Sequence, residues 1–176
     1  MKIIYISYST IPSRTANSIH VMKMCNAMSN LGHDVVLIAP SGVENKEPDV
    51  HNVYDYYGVT NRFKIKQLNI VKGRLGSISY AAQIALLLLK EKPELVYGRY
   101  CLGCVISILF GYNTIFETHV PFNELTKKDQ KSLKLIKNKS NFLNLVVISD
   151  ALKNMYVDEG IFTHSDMLKV AHDGAD

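Results

Sequence analysis

Two apolar runs that bracket one amphipathic helix pattern constrain this chain more than any other feature. Lys2 to Tyr8 (KIIYISY) is short and rich in isoleucine and tyrosine, the pattern of a strand buried on both faces. Ser9 to Asn17 follows as a polar turn containing Pro12. Val21, Met24, Cys25 and Met28 then fall at i, i+3, i+4 and i+7 of one helix face, and Gly32 stands where a left-handed helix terminus favours a residue without a Cβ. Asp34 to Pro40 (DVVLIAP) is a second buried run. A β-α-β unit of this spacing favours parallel strands joined by a right-handed crossover.

The alternation continues to the end of the chain. Phe63, Ile65, Leu68 and Ile70 mark a third, less regular strand after the turn-rich stretch 41–61. Ile78 to Lys90 is apolar almost all round, which predicts a buried helix, and Pro93 stops it. Leu95 to Arg99 (LVYGR) and Thr114 to Thr118 (TIFET) read as the fourth and fifth strands, separated by the apolar segment Leu102 to Phe110. Thr126 to Asn138 is a lysine-rich helix, Leu145 to Ser149 a sixth strand, Asp150 to Glu159 a helix ended by Gly160, and Met167 to Ala171 a last strand. This order predicts an α/β fold with a doubly wound, mostly parallel, Rossmann-like sheet. At 176 residues and 47% apolar content, a chain of this length buries about 70% of the surface its unfolded form exposes, enough for a real core.

Charge and composition narrow the function classes. A net charge of +4 is too mild for a nucleic-acid footprint, so no nucleic-acid partner is expected. The longest unbroken apolar stretch, Ile84 to Leu89, is far shorter than the ~20 residues of a membrane-spanning helix, and Met1-Lys2-Ile3 runs straight into a strand pattern instead of a cleavable signal. Three cysteines without a disulfide framework agree with a reducing compartment, so a cytoplasmic location is expected.

In a doubly wound sheet the ligand binds beyond the carboxyl ends of the strands, where strand order reverses. With the common strand order, the turns after strands one, four and five line that crevice. They carry Ser9 to Asn17, then Arg99 and Tyr100, then His119. No glycine lies between Ser7 and Leu31, so the dinucleotide fingerprint is missing and a dehydrogenase is disfavoured. Ser13, Arg14, Thr15, Ala16 and Asn17 still offer hydroxyls and backbone N–H groups at a helix start, suited to an anion or a sugar hydroxyl, while Asn17 or Ser18 caps the helix. Arg99 suits a carboxylate or phosphate, or pairs with Glu117 from the neighbouring strand. Glu117 alternates with His119, so both point the same way from a regular strand. No metal site is expected.

These pieces, in order and spacing, resemble the retaining glycosyltransferases of family 4, built from two Rossmann-like domains in the GT-B arrangement: KIIYISYSTIPS, HVMKMCNAMSNLGHDVVLIAP, YYGV, PELVYGRY, FETH, VVISDAL and VAHDGAD. The resemblance implies an amino-terminal, acceptor-side domain over residues 1–170 and the start of an interdomain hinge at 171–176, where Asp173-Gly174-Ala175-Asp176 is similar to the family's Asn-Gly-x-Asp pattern. A sugar acceptor and the carboxyl-terminal donor-binding domain of the same polypeptide are the implied partners. No cofactor is implied beyond the nucleotide-sugar donor as co-substrate. The family's donor-side glutamate pair has no counterpart at its spacing here, so no transfer is expected from this chain alone. By the same resemblance His119 is the catalytic candidate, matching a cleft histidine that contacts the donor sugar; the bland alternative is a histidine capping a strand end. Arg99, Glu117 and Ser13 to Asn17 are substrate-binding candidates. Thr15-Ala16 stands where many members have two glycines, and a Cβ at each position narrows the approach of a phosphate.

Other signals remain. Cys101-Leu102-Gly103-Cys104 has the local context of a redox pair, but a pair of small buried residues is the preferred reading. Lys127, Lys128, Lys131 and Lys134 form either a solvated helix face or a peripheral contact with an anionic membrane, at its inner face, that would suit a lipid-linked acceptor. Tyr54, Tyr56 and Tyr57 offer a sugar-stacking surface, with core packing favoured for two of the three. The rival classes are a flavodoxin-like FMN electron carrier and a non-catalytic sugar-binding domain.

Overall fold

The structure is a computed structural model and describes residues 1–41, 46–60, 62–70, 75–162 and 165–172. The chain divides into two compact units, Met1–Leu95 and Val96–Asp176. The first carries β1 (Lys2–Ile6), α1 (Ala16–Asn30), β2 (Asp34–Ser41), the single turn α2 (Val53–Tyr56), β3 (Lys64–Asn69) and α3 (Gly76–Glu91). The second carries β4 (Leu95–Gly98), which begins at the boundary, then α4 (Cys101–Leu109), β5 (Thr114–Thr118), α5 (Lys127–Ile136), β6 (Phe142–Val147), α6 (Asp150–Asp158) and β7 (Leu168–Val170). The strands run in the order β3-β2-β1 in the first unit and β4-β5-β6-β7 in the second, parallel within each and alternating with helices, the Rossmann-like α/β fold that the alternation predicts.

In the first unit β1 pairs parallel with β2 from Lys2↔Asp34 to Ile6↔Ile38, and β2 pairs parallel with β3 from Val36↔Lys64 to Ser41↔Asn69. β1 and β2 are buried almost without interruption, as strands covered on both faces must be. The irregularity expected of β3 is its partial exposure at the sheet edge. α1 starts earlier than its apolar period suggests, because Thr15 is the cap: its side chain accepts from the Ser18 N–H. Neither Asn17 nor Ser18 plays that role; both lie in the first helical turn. The buried stripe of α1 runs through Ser18, Val21, Met22, Cys25 and Ser29, while Met24 and Met28 are only half-buried. Two small serines set that face, and hydrophobic periodicity does not register them. Gly32 closes the helix at φ +86°, as expected.

α3 departs from its sequence reading more clearly. It was expected to be buried all round, yet only Gly76, Tyr80, Ile84 and Leu88 are buried, one residue every four along a single stripe. Ile78, Leu86 and Leu89 are more than half exposed. An outer helix of an α/β layer has one sheet to pack on, whatever the composition of its far side. Tyr80, fully buried, spends its hydroxyl on the Ser7 carbonyl at 2.6 Å.

In the second unit β4, β5, β6 and β7 are parallel in that order, with an irregularity between Thr114 and Ile115 where β5 meets β6. β6 begins three residues before the predicted strand and ends two before it, because Ser149 leaves the strand to cap α6 by accepting from the Leu152 N–H at 3.1 Å. One apolar cluster fills this unit, including Cys101, Cys104, Phe116, Leu133, Ile136, Leu145 and Tyr156. Residues 173–176, most of the expected hinge, lie outside the described residues.

Candidate functional site

In the first unit the chain leaves β1 into a loop whose hydroxyls are largely spent on one another. Ser7 Oγ donates to Ser9 Oγ at 2.7 Å, and the Asn17 amide donates to the same Ser9 oxygen at 2.6 Å. Ser13 Oγ lies 2.8 Å from Ser18 Oγ, which in turn donates to the Thr10 carbonyl at 2.7 Å. The Tyr57 hydroxyl clamps the loop by accepting from the Ser13 N–H at 2.7 Å and donating to the Ser13 carbonyl at 2.8 Å. Ser7, Ser9, Ser13 and Ser18 are buried, whereas Arg14, Thr15, Ala16 and Asn17 form an exposed run at the start of α1. Ser13 therefore shapes the loop from beneath, and the four residues after it present the surface. Arg14 Nε sits 3.3 Å from Glu47.

The tyrosines beside this loop are structural in large part. Tyr54 donates to the Phe63 carbonyl at 2.7 Å and meets the Phe63 ring edge-on at 5.3 Å. Tyr57 is buried and packs edge-on with Tyr56 at 4.9 Å. Burial raises the phenol pKa of both Tyr54 and Tyr57, which keeps these hydroxyls protonated.

In the second unit the ends of β4 and β5 assemble a largely buried polar group. Glu117 is 3% exposed. Its Oε2 accepts from the Tyr97 hydroxyl at 2.7 Å, and its Oε1 lies 2.6 Å from His119 Nε2 and 3.6 Å from Arg99 Nε. The alternation of Glu117 and His119 thus brings them to one face, and the ion pair between Arg99 and Glu117 forms. Arg99 is largely buried, and its Nη1 has no hydrogen-bond partner among the described residues. Burial first, then the neighbouring Glu117 charge, pushes the Tyr97 phenol far above its ordinary pKa, so Tyr97 remains a donor. Beyond His119 the chain is held by Tyr156, whose hydroxyl donates to the Val120 carbonyl at 3.1 Å.

Sequence reasoning named Arg99, Glu117 and His119 but missed Tyr97. A signal existed: Tyr97 stands two residues before Arg99 on one strand, as Glu117 stands two before His119 on the next. The cysteine pair forms no disulfide; Cys101 and Cys104 are buried free thiols in the apolar cluster. Burial pushes Cys101 up to about 12 and Cys104 well above its ordinary value, the opposite of an activated thiolate.

The family model of Glycosyltransferase Family 4 matches residues 18–174. The chain belongs to that family. A comparison with curated protein sequences gives no match. Among solved structures, the family chain is similar to HepE of Anabaena in complex with UDP, at 12% identity and a TM-score of 0.64, over 100% of this chain and 45% of that one. It is similar to the lipopolysaccharide outer core galactosyltransferase WaaB in its apo form, at 10% identity and a TM-score of 0.66, over 99% of this chain and 46% of that one. The UDP-GlcNAc 2-epimerase of Methanocaldococcus jannaschii is also similar, at 17% identity and a TM-score of 0.70, over 97% of this chain and 45% of that one. The chain thus spans less than half the length of these matched structures. Transferases and epimerases share the fold, so the fold alone does not separate them; the family match sets aside the flavodoxin-like reading.

Proposed function

We propose that this family 4 chain is the acceptor-side, amino-terminal half of a retaining glycosyltransferase that moves a sugar from a nucleotide-sugar donor to a glycan or lipid-linked acceptor. The donor-binding half is a second domain of the same polypeptide, reached through the hinge at 171–176, and this chain does not transfer sugar without it. The observation that carries the reading is His119 at the end of β5, its imidazole oriented by Glu117 at 2.6 Å. In the proposed enzyme His119 contacts the donor sugar near the reacting centre. A neutral imidazole or the backbone carbonyl there stabilises the positive charge that develops as the sugar leaves its phosphate. The departing phosphate accepts the acceptor's proton, so no side chain of this half has to act as general base. Arg14, Thr15, Ala16 and Asn17, with Ser13 beneath them, and Arg99 are the proposed substrate contacts.

The exposed lysines Lys127, Lys128, Lys131 and Lys134 of α5 support a peripheral contact with an anionic, cytoplasmic membrane face, where a lipid-linked acceptor would lie. Among the described residues no helix is long and apolar enough to cross a membrane.

The reading is tested by assaying sugar transfer from a panel of nucleotide sugars with the natural polypeptide that includes the donor half. His119→Ala is expected to lower turnover about 100-fold, the scale of losing one transition-state interaction. Turnover that does not change would remove His119 from the mechanism.

A further inference from the structure

The contacts of Glu117 decide more than an ion pair. Arg99 cannot lose its proton, and a neutral Glu117 would strip this largely buried guanidinium of the carboxylate 3.6 Å away. Tyr97 brings a hydroxyl proton to Oε2 at 2.7 Å. Two donors converging on one buried acid favour its ionised form, and an ionised carboxylate can only accept. The 2.6 Å contact between Glu117 Oε1 and His119 Nε2 then requires the proton to sit on the histidine nitrogen.

We propose that Glu117, backed by Tyr97, is a positioning residue that holds neutral His119 in its Nε2–H tautomer and leaves Nδ1 as the acceptor nitrogen of the ring. Which ring nitrogen carries the proton is set by the hydrogen bond the other partner makes, and here that partner is a carboxylate anchored from the next strand. In the transferase reading, on which the functional meaning of this inference rests, Glu117 thereby fixes the orientation of the His119 ring relative to the sugar. Glu117, 3% exposed and engaged on both oxygens, acts through His119 and does not touch substrate itself.

The test is a long-range proton–nitrogen correlation spectrum of the full-length protein labelled with 15N-histidine, recorded above the pH at which imidazole titrates. The His119 signals are assigned by their loss in His119→Asn. Expected is a protonated, pyrrole-like Nε2 well separated from an unprotonated, pyridine-like Nδ1. Glu117→Ala should collapse the two toward an exchange-averaged position. Tyr97→Phe, which keeps the ring and removes only the hydroxyl, should move them part of the way and covers the case in which Glu117→Ala does not fold. A parent spectrum with Nδ1 protonated, or with averaged nitrogens, overturns the proposal; a Tyr97→Phe spectrum identical to the parent's removes Tyr97 from it. The spectrum reads the tautomer whether or not the protein transfers sugar. Averaged nitrogens alongside an inactive His119→Ala would discard this inference and keep the transferase, and a locked tautomer alongside a fully active His119→Ala would do the reverse.

Discussion

Glu91, near the end of α3, receives an ammonium from each of two strands. Lys2 Nζ on β1 lies 2.5 Å from its carboxylate, and Lys66 Nζ on β3 takes the other oxygen. The hydrogen bonds to Lys2 and Lys66 hold the carboxyl at about 2, below an ordinary value of 4.5. Because the folded value is depressed, the unfolded chain binds more protons between the two values and stability rises with pH there. The contribution is complete above the unfolded value and disappears as pH falls through about 2. Urea midpoints of the parent and Glu91→Gln should differ most near neutral pH and converge as acid is added below the ordinary carboxylate range. A gap that stays constant with pH would show that the lysines do not act through the charge. None of this was visible in the sequence, where Lys2, Lys66 and Glu91 are far apart. Glu117 and His119 were legible because a strand's two-residue period places them on one face, but Tyr97 entered only through pairing with the next strand.

At the level of elements, the existence of α1, α3, α5 and α6 followed from pattern, whereas the single turn α2 inside the stretch read as turn-rich did not, and neither did helix burial. α1 and α6 end at Gly32 and Gly160, both at positive φ, where glycine avoids the steric cost of a Cβ. α3 contains leucines on nearly every side, so its sequence alone gives no preferred face; the single sheet layer beneath it selects Tyr80, Ile84 and Leu88. Ile84→Ala should therefore cost about 3 kcal/mol through lost burial and the cavity left behind. Leu86→Ala, at a position 68% exposed, should stay within about 0.5 kcal/mol of the parent. Chemical denaturation of both variants checks this, and equal losses would mean that the outer face of α3 is covered in solution. On α5 the same logic runs with a clearer sequence signal: Leu133 and Ile136 are buried while the lysines around them are exposed. Thr126 caps that helix by accepting from the Asp129 N–H at 3.1 Å.

On the scale of the molecule, the exposed lysines of α5 carry the proposed membrane contact, each adding about 1 kcal/mol near an anionic surface. Co-sedimentation with vesicles should rise with anionic lipid content and fall with salt, and Lys127→Ala with Lys128→Ala and Lys131→Ala should abolish it. Binding that ignores lipid charge would refute the contact. The sequence by itself determined the α/β class, the parallel strands and the residues at the ends of the fourth and fifth strands. These follow from short-range periodicity, and a run of buried strand residues or a glycine after a helix means the same thing in many folds. Only the tertiary structure decided that the hydroxyls of the first loop satisfy one another, that α3 hides one face, and that Tyr97 joins the expected group by donating to Glu117. Each of those depends on residues distant in sequence, whose hydrogen bonds and burial exist only once the strands are in register.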